Sequence, residues 1–362
     1  MYLSPFSRRS ETGVRILKAA VIGAGNAGNW HANSIKKFPD MCGLVAIADV
    51  DEKRLKRLQK KHPQVTAVTD YKEALRRGDI DTVHLCLPHH LHGKIAVESL
   101  EAGKHVLCEK PIATTLEEAD AMIRAARAHD LKLMIAENQR FLPAHIRIKE
   151  LLDAGTIGEP KLIMTYEGGS EVASMADPAS WKSNILEGGG GAWMDSGIHR
   201  VAVLQYLCGD IDSISGKAER LYSTLESKAD DNCAFSLQFA NGALGTVACS
   251  FTVASEWNNS VEIYGTKGTI LENHNWEHPI KLFSTLPGPD QGRWVCPEVE
   301  HRVYPGYYPL TFEAEVRHFY ECIVNDTEPL MSGEDGRRAL EIIVLGYEAS
   351  KTEKTVHRNK QS

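Results

Sequence analysis

The chain has 362 residues, of which 43% are hydrophobic and 25% are charged, a composition typical of a globular protein with more than one domain. A net charge of −7 and a pI near 6.1 argue against a nucleic-acid partner, because phosphate binding requires a basic surface. The apolar runs have the length of strands, so no transmembrane helix and no membrane partner are expected.

The N-terminus and the cysteines indicate the compartment. Residues 1–17 contain Arg8-Arg9, but no apolar export segment follows before the first strand, so we expect a short disordered arm and a cytoplasmic protein. The eight cysteines form no CxxC pair, which favours small buried side chains in a reducing compartment. No metal site is predicted.

Residues 18–140 alternate between strand and helix patterns. Short apolar strands separated by amphipathic helices predict a parallel sheet that is covered on both faces. The predicted strands are "KAAVIG", "GLVAIAD", "TVHLCLP", "HVLCE" and "LKLMIAE".

The first predicted strand ends in "GAGNAG", a GxGxxG motif that opens a helix. The first glycine permits the tight turn, the second lets a pyrophosphate approach the backbone, and the third allows close packing of helix and strand. This context predicts a dinucleotide-binding loop that consists of Gly23, Gly25, Asn26, Ala27 and Gly28.

Asp49 ends the second predicted strand, 21 residues after Gly28. A carboxylate there accepts hydrogen bonds from the adenosine ribose hydroxyls and repels a 2′-phosphate. No arginine follows directly, since the next residues are Val50, Asp51 and Glu52. The sequence therefore predicts NAD rather than NADP.

The strand "HVLCE" is followed directly by Lys110 and Pro111. Open parallel sheets bind ligands beyond the carboxyl ends of their strands, so Lys110 is expected to point toward the nicotinamide. The preceding strand ends in "LPHHLH" at the same edge. We therefore predict cofactor contacts from Pro88, His92, Glu109 and Lys110, and a substrate contact from His89.

After Arg140 the alternation stops. "PAHIRIKELLDAG" predicts one helix, and the later apolar segments predict antiparallel hairpins with turns at Asn241-Gly242 and Lys267-Gly268. We expect residues 141–362 to form a second domain on a mainly antiparallel sheet.

Within this domain, four glycines at 188–191 precede a helical pattern that ends at Gly209. Asp195 and His199 are four residues apart, so they are expected to share one helix face, where the carboxylate would orient the imidazole. The glycines are expected to let a substrate or cofactor approach the backbone.

These features together resemble the Gfo/Idh/MocA family, which includes glucose-fructose oxidoreductase, inositol dehydrogenase and rhizopine-catabolism proteins. The similar segments run in order along almost the whole chain, except the first 17 residues and 270–305. They are "GAGNAGNWH", "LPHHLHGKIAVESLEAGKHVLCEKP", "RFLPAHIRIKELLDAGTIGEP", "GGGGAWMDSGIH" and "SGEDGRRALEI".

The resemblance implies an α/β architecture: an N-terminal Rossmann domain followed by a C-terminal α+β domain on a large, mainly antiparallel open sheet, which commonly serves as an oligomer interface. It also implies NAD(P)-dependent redox chemistry at a polyol carbon. By motif position, Lys110 corresponds to the active-site lysine, with Asp195 and His199 as its partners. The family often has an aspartate where this chain has Ala202, which puts the substrate in doubt.

The expected reaction transfers a hydride between nicotinamide and a secondary hydroxyl of a sugar, glycoside or cyclitol. The sequence leaves open whether Lys110 or His199 takes the hydroxyl proton, and it assigns Asp195 as the orienting group. For Trp30, Trp181 and Trp193 a place in the core is at least as plausible as stacking on a sugar. Predicted substrate contacts are His89, Arg140, Glu167, Trp181, Lys182, Asp195 and His199.

Two alternatives remain, of which the first uses the same catalytic residues. One is redox-neutral glycoside cleavage through transient oxidation at C3, and the other is a non-enzymatic NAD(P)-binding sensor. A sensor has no need of Lys110, Asp195 and His199 together, so the enzyme is favoured. We also expect a homo-oligomer, with a tetramer favoured, because "ALGTVACSFTV" places apolar residues on both faces of its strand.

Overall fold

The computed structural model describes residues 15–222 and 227–358. Most of the predicted N-terminal arm, including Arg8-Arg9, therefore lies outside the described residues. No helix in the described ranges is long and apolar enough to cross a membrane.

The first part of the chain folds into a parallel sheet, which has six strands among the described residues, in the order β3-β2-β1-β4-β5-β6. This confirms the Rossmann prediction, because the chain crosses from β3 to β4, which pairs with β1, and leaves a crevice where the strand order reverses. The strands are β1 (Leu17–Ile22), β2 (Cys42–Ala48), β3 (Thr66–Val68), β4 (Thr82–Leu85), β5 (His105–Glu109) and β6 (Leu133–Ala136).

Helices cover both faces of this sheet, and their ends follow capping rules. Asp51 caps α2 and Thr115 caps α5, where each side chain accepts a hydrogen bond from a backbone N–H of the first turn. The helices are α1 (Asn26–Ile35), α2 (Glu52–Lys61), α3 (Tyr71–Leu75), α4 (His92–Glu101) and α5 (Leu116–Ala128).

The second sheet has nine strands within the described ranges, in the order β14-β13-β12-β11-β7-β10-β9-β8-β15. It is mainly antiparallel, as predicted, with one parallel pair between β7 and β10. Its strands are β7 (Pro160–Gly168), β8 (Ile211–Glu219), β9 (Asn232–Phe239), β10 (Leu244–Ser250), β11 (Asn258–Gly265), β12 (Gly268–Asn273), β13 (Ile280–Ser284), β14 (Trp294–Val295) and β15 (Val356–His357).

One face of the second sheet is covered by helices. In β9 the residues Cys233, Phe235, Leu237 and Phe239 are buried, whereas the residues between them are exposed. This period of two shows that, in the described part of the chain, the other face lies open. The helices of this region are α6 (Pro143–Asp153), α7 (Val172–Ala176), α8 (Ile185–Gly188) and α9 (Ile198–Cys208).

Two C-terminal helices connect the sheets. The first, α10 (Tyr308–Asn325), packs against α1 and adds Val316, Phe319 and Tyr320 to a core shared with β1 and β2. The second, α11 (Gly333–Thr352), packs against α5, α9 and β8. The end of the chain therefore holds the two regions together at the crevice.

Candidate active site

A cavity of about 570 Å³ lies at the carboxyl edge of the first sheet, between the two regions of the fold. Its volume is in the range of small-molecule sites, and residues from both regions line it. Of the predicted site residues, the lining contains Asn26, Ala27, Glu109, Lys110, Glu167, Lys182, Asp195 and His199.

The three motif glycines occupy different environments. Gly23 has a φ of +100°, and a Cβ there would lie 2.0 Å from the Cys86 carbonyl oxygen. A Cβ on Gly28 would lie 1.9 Å from the Gly23 oxygen, whereas one on Gly25 meets no atom within 4 Å. The first and third glycines are therefore needed by the fold, and the second keeps open the space that a pyrophosphate would use before α1.

Asp49 is fixed beside this loop. Its carboxylate accepts hydrogen bonds from the backbone N–H of Ala24 at 2.6 Å and of Asp51 at 2.8 Å. The loop and the acidic residue that a nicotinamide dinucleotide requires are thus held in one arrangement, so the residues present fit NAD.

Lys110 reaches across the cavity to Asp195. Its Nζ donates to the Asp195 carbonyl oxygen at 2.8 Å and to the Asp195 carboxylate. On the other side, Lys182 Nζ lies 2.9 Å from the second carboxylate oxygen and 3.2 Å from Glu171. Asp195 therefore lies between two ammonium groups.

The charges around Asp195 are strongly coupled. Burial would raise the pKa of the Asp195 carboxyl, but the charges of Lys110 and Lys182 outweigh it and hold that pKa well below its usual range. Burial would likewise lower the pKa of Lys182, but Asp195 and Glu171 raise it. Asp195 and Lys182 are therefore both ionised at neutral pH.

His199 pairs with a residue that the sequence analysis missed. Its Nδ1 lies 2.7 Å from Oε1 of Glu137, a fully buried residue at the end of β6. Burial would raise the pKa of Glu137, but the charge of His199 and its hydrogen bond lower it. The prediction that Asp195 orients His199 is therefore wrong.

The reason is local. Trp193–Gly197 forms a π-helical turn, which is wider than an α-helical turn, so a spacing of four does not place Asp195 and His199 together as it would in an α-helix. Glu137 had a recognisable signal, because an acid directly after a parallel strand lies at the ligand-binding edge, as Glu109 does.

The predicted role of the glycine run 188–191 is also wrong. A Cβ on Gly190 would lie 2.1 Å from the Tyr347 hydroxyl, and one on Gly191 would lie 1.8 Å from the Asp230 carbonyl oxygen. The Asp230 carboxylate accepts hydrogen bonds from the backbone N–H groups of Gly191 and Trp193. These glycines allow close packing within the protein rather than the approach of a ligand.

Two predicted contact residues lie in the protein interior. Arg140 is 4% exposed and donates to the carbonyl oxygens of Leu330 and Ala202, at 2.8 and 3.2 Å. His92 is fully buried, and its ring nitrogens lie 2.7 and 2.9 Å from the carbonyl oxygens of Pro111 and Leu87. The predicted substrate contact of Arg140 and the predicted cofactor contact of His92 are therefore wrong. Both side chains bind backbone carbonyl groups inside the protein instead.

His89 lies behind Asp195. Its Nδ1 donates to the Gly188 carbonyl oxygen at 2.8 Å, and its ring packs on Trp181 with centroids 4.3 Å apart. Nε2 lies 3.8 Å from Asp195. Burial lowers the pKa of His89 to about 3, so it is neutral. Because Nδ1 carries the hydrogen, Nε2 has none to donate to Asp195, and the ring packs behind the site instead of lining the cavity as predicted. Pro88 precedes it at the start of a 3₁₀ turn.

Glu167 lines the cavity but is already paired. Its Oε2 lies 2.7 Å from Nε of Arg200, which is fully buried, and 3.4 Å from Gln139 Nε2. The charge that a substrate meets at Glu167 is therefore largely neutralised.

One wall of the cavity is aromatic. Trp30 from α1 stacks on Phe312 from α10, with centroids 6.0 Å apart and an angle of 15°, and Tyr304, Tyr307 and Tyr308 extend this wall. These tyrosines had no signal in the sequence, because Tyr304 lies in the segment 270–305 without family resemblance and the other two follow it directly. Trp193, by contrast, is a core residue whose Nε1 donates to the Ile343 carbonyl oxygen.

A row of buried hydrogen bonds leads away from the cavity at Glu109. His31 Nε2 lies 3.1 Å from Glu109, and His31 Nδ1 lies 2.9 Å from His84 Nδ1. His84 Nε2 lies 2.9 Å from the Tyr320 hydroxyl, which lies 3.1 Å from Thr82 Oγ1. Burial holds the pKa of His84 well below its usual range, so His84 is neutral.

Comparison with known families accounts for both regions. Residues 17–137 match the family described as "Oxidoreductase family, NAD-binding Rossmann fold", and residues 145–271 match the "GFO/IDH/MocA C-terminal domain". The chain belongs to the Gfo/Idh/MocA family. It is accordingly an NAD-binding oxidoreductase, as predicted.

The chain is similar to several characterised family members. It is 28% identical to a myo-inositol 2-dehydrogenase of Thermotoga maritima, over 93% of this chain and 96% of that one. It is 30% identical to a trans-1,2-dihydrobenzene-1,2-diol dehydrogenase of Danio rerio, over 72% and 75%. The solved structure of a levoglucosan dehydrogenase with NADH and levoglucosan superposes with a TM-score of 0.86 at 25% identity, covering 95% and 99%.

Proposed function

We propose that this protein is an NAD-dependent dehydrogenase that oxidises a secondary hydroxyl of a sugar or cyclitol. The observation that carries the proposal is the pairing of a dinucleotide loop with two proton-handling units, Lys110 with Asp195 and His199 with Glu137, around one cavity. Relatives named for myo-inositol, D-xylose and levoglucosan support this substrate class.

The cofactor would be held by the loop 23–28 and by Asp49, and it supplies a hydride acceptor when bound. Lys110 already donates two hydrogen bonds to Asp195, which leaves one N–H to hold the substrate oxygen. Glu137 accepts from His199 Nδ1, so Nε2 presents its lone pair to the cavity. His199 is therefore the group that takes the hydroxyl proton, and Lys110 stabilises the oxygen that loses it.

The polar lining suits a molecule with several hydroxyl groups. Lys182, Glu171 and Asn138 present donors and acceptors on one side, and the aromatic wall that contains Trp30 provides a flat surface for a sugar ring. The redox-neutral and sensor alternatives are not favoured, because the family relatives named above are dehydrogenases.

We further propose that residues 18–140 form the cofactor domain and 141–362 the substrate and oligomer domain, that the assembly is a tetramer through the open sheet, and that it works in the cytoplasm. The open face of the second sheet supports the assembly, and the scattered cysteines, unpaired among the described residues, support the compartment.

The test is an NADH-absorbance screen of the full-length protein with myo-inositol, scyllo-inositol, D-xylose, D-glucose and levoglucosan, with product analysis by mass spectrometry. Lys110→Ala should lower kcat by about 100-fold or more while NADH affinity stays within a few-fold. Lys110→Arg should not restore the rate, because a planar guanidinium cannot reproduce the two contacts of Nζ with Asp195. Turnover of Lys110→Ala near the wild-type rate would refute the proposed role.

Cofactor choice is tested separately by fluorescence titration with NADH and NADPH. The Asp49 carboxylate should make NADH the tighter ligand, because it would lie against the extra phosphate. Asp49→Ser should weaken NADH binding and reduce the difference in affinity between NADH and NADPH. Tighter binding of NADPH by the wild type would contradict the assignment.

A further inference from the structure

Three ionisable side chains meet in the interior, outside the cavity. His145 comes from α6, Glu272 from β12, and His274 follows directly after that strand, and one donor atom of each lies within 4.8 Å of the others. Glu272 and His274 are two residues apart, so they project from the same face of the sheet, toward His145. All three are at most 2% exposed.

Their polar atoms are poorly satisfied. Nε2 of His145 and Nδ1 of His274 have no hydrogen-bond partner among the described residues, although Nδ1 of His274 is in close contact with Oε1 of Glu272. Buried polar atoms without a partner destabilise the folded protein, and more so when they are charged. Two ring nitrogens and a carboxylate that converge without a hydrogen bond between them indicate a bound species.

The proton positions identify the charge that is missing. Nδ1 of His145 lies 2.7 Å from the Gln139 carbonyl oxygen, which can only accept, so Nδ1 carries the hydrogen. In the neutral ring Nε2 is then a lone pair, and it lies 3.7 Å from Oε2 of Glu272. This contact is favourable when Nε2 carries a second proton or when a metal ion lies between the two atoms.

The geometry points to a divalent transition-metal ion of the zinc class, and we propose that His145, Glu272 and His274 bind it. Two imidazole nitrogens and one carboxylate oxygen form a common zinc ligand set. The hydrogen bond from Nδ1 of His145 to a carbonyl is the outer contact that metal-binding histidines usually make. Tetrahedral ligands around zinc lie about 3.3 Å apart, so the 3.7 Å pair of His145 and Glu272 would contract slightly and the closer pair of His274 and Glu272 would open to admit the ion.

The site would be structural. It connects α6 to β12, and through the Gln139 carbonyl it supports a residue that lines the cavity. Its ligands do not line the cavity, so the proposal is independent of the proposed reaction. The sequence did not indicate this metal site, because His145 precedes Glu272 by more than one hundred residues and the three ligands form no short motif.

The test measures metal binding by the full-length protein. After treatment with a chelator, the protein is equilibrated with Zn²⁺ or Co²⁺ and analysed by elemental mass spectrometry and visible absorption. Wild type should retain about one ion per chain, show the visible bands of tetrahedral Co²⁺, and melt at a higher temperature with the metal than without it.

His145→Asn and Glu272→Gln should each weaken binding by at least about tenfold, because each removes a ligand. His62→Asn is the matched control, since His62 is equally buried and its ring nitrogens also lack hydrogen-bond partners, but it lies in the first domain. The control should bind metal as wild type does.

Stoichiometry far below one in wild type, for Zn²⁺, Co²⁺, Mn²⁺ and Ni²⁺ alike, would overturn the proposal and leave a hydrated ion pair. Equal binding by wild type and both ligand variants would place the metal elsewhere and overturn it too. If the variants fail to fold, the Co²⁺ spectrum of wild type decides, because nitrogen and oxygen ligands in a tetrahedron give bands that hydrated Co²⁺ lacks.

Discussion

At the scale of single residues, the cavity divides its charges between two carboxylates. Asp195 pairs with Lys110 and Lys182. Glu137 pairs with His199. In the proposed reaction, this division separates Lys110, which donates to the substrate oxygen, from His199, which accepts the proton. Sequence spacing suggested a single Asp195–His199 unit instead, because the π-helical turn between them leaves no mark in the residue pattern.

Glu137 should control the protonation of His199. In Glu137→Gln the imidazolium that forms during turnover loses its carboxylate, so kcat should fall by roughly 10–100-fold and the acidic limb of the kcat/KM profile should move to lower pH. The control is Glu98→Gln, which changes a half-buried carboxylate on α4. It should leave kcat and the pH profile of kcat/KM unchanged. An unchanged pH profile for Glu137→Gln would indicate that Lys110, and not His199, accepts the hydroxyl proton of the substrate.

His89 should make the fold sensitive to acid. Because burial lowers its pKa to about 3, the unfolded chain takes up a proton below pH 6.5 that the folded protein does not. The lost stability should reach about 2 kcal/mol at pH 5. His89→Asn keeps an N–H for the Gly188 carbonyl oxygen and removes the titration. In urea unfolding, the free energy of unfolding should therefore fall less between pH 7 and pH 5 in the variant than in the wild type. Equal decreases would contradict the assignment of a neutral His89.

At the scale of elements, the sequence predicted the regular parts. The strands β1, β2, β4, β5 and β6 were predicted because apolar runs of their length alternate with amphipathic helices. The three-residue β3 was missed because it is too short to show a pattern. Residues that meet through tertiary contacts, such as Arg200 with Glu167 or Tyr304 with the cavity, have no local signal.

The glycine loop allows a matched pair of variants. A Cβ on Gly28 collides with the Gly23 oxygen, so Gly28→Ala should lower stability by about 1–3 kcal/mol. A Cβ on Gly25 meets no protein atom, and the φ of −75° suits any residue, so Gly25→Ala should fold normally. It should nevertheless weaken NADH binding by about tenfold or more, because the methyl group occupies the pyrophosphate space. Thermal melting and NADH fluorescence measure the two effects, and normal NADH affinity in Gly25→Ala would place the pyrophosphate elsewhere.

At the scale of the whole molecule, the open face of the second sheet is the surface to explain. Leu244 and Leu162 pair in register on adjacent strands and are 57% and 40% exposed. Apolar residues grouped on an uncovered sheet indicate an interface between copies of the chain.

Light scattering at micromolar concentration should therefore report an oligomer rather than the 40.0 kDa monomer. A double change, Leu162→Lys with Leu244→Lys, should shift the mass toward the monomer while the protein stays folded. Val324→Lys on α10 changes an exposed apolar residue away from the sheet and should leave the mass unchanged. A monomeric wild type would refute the interface.

The row that runs from Glu109 through His31 and His84 to Tyr320 and Thr82 has a direction. With Glu109 ionised and both rings neutral, all four bonds are satisfied only if every hydrogen points toward Glu109. The row is then a dipole whose positive end meets the carboxylate, and each bond polarises the next. Thr82, at the far end of the row, therefore contributes to the electrostatic field that Glu109 meets beside the cavity.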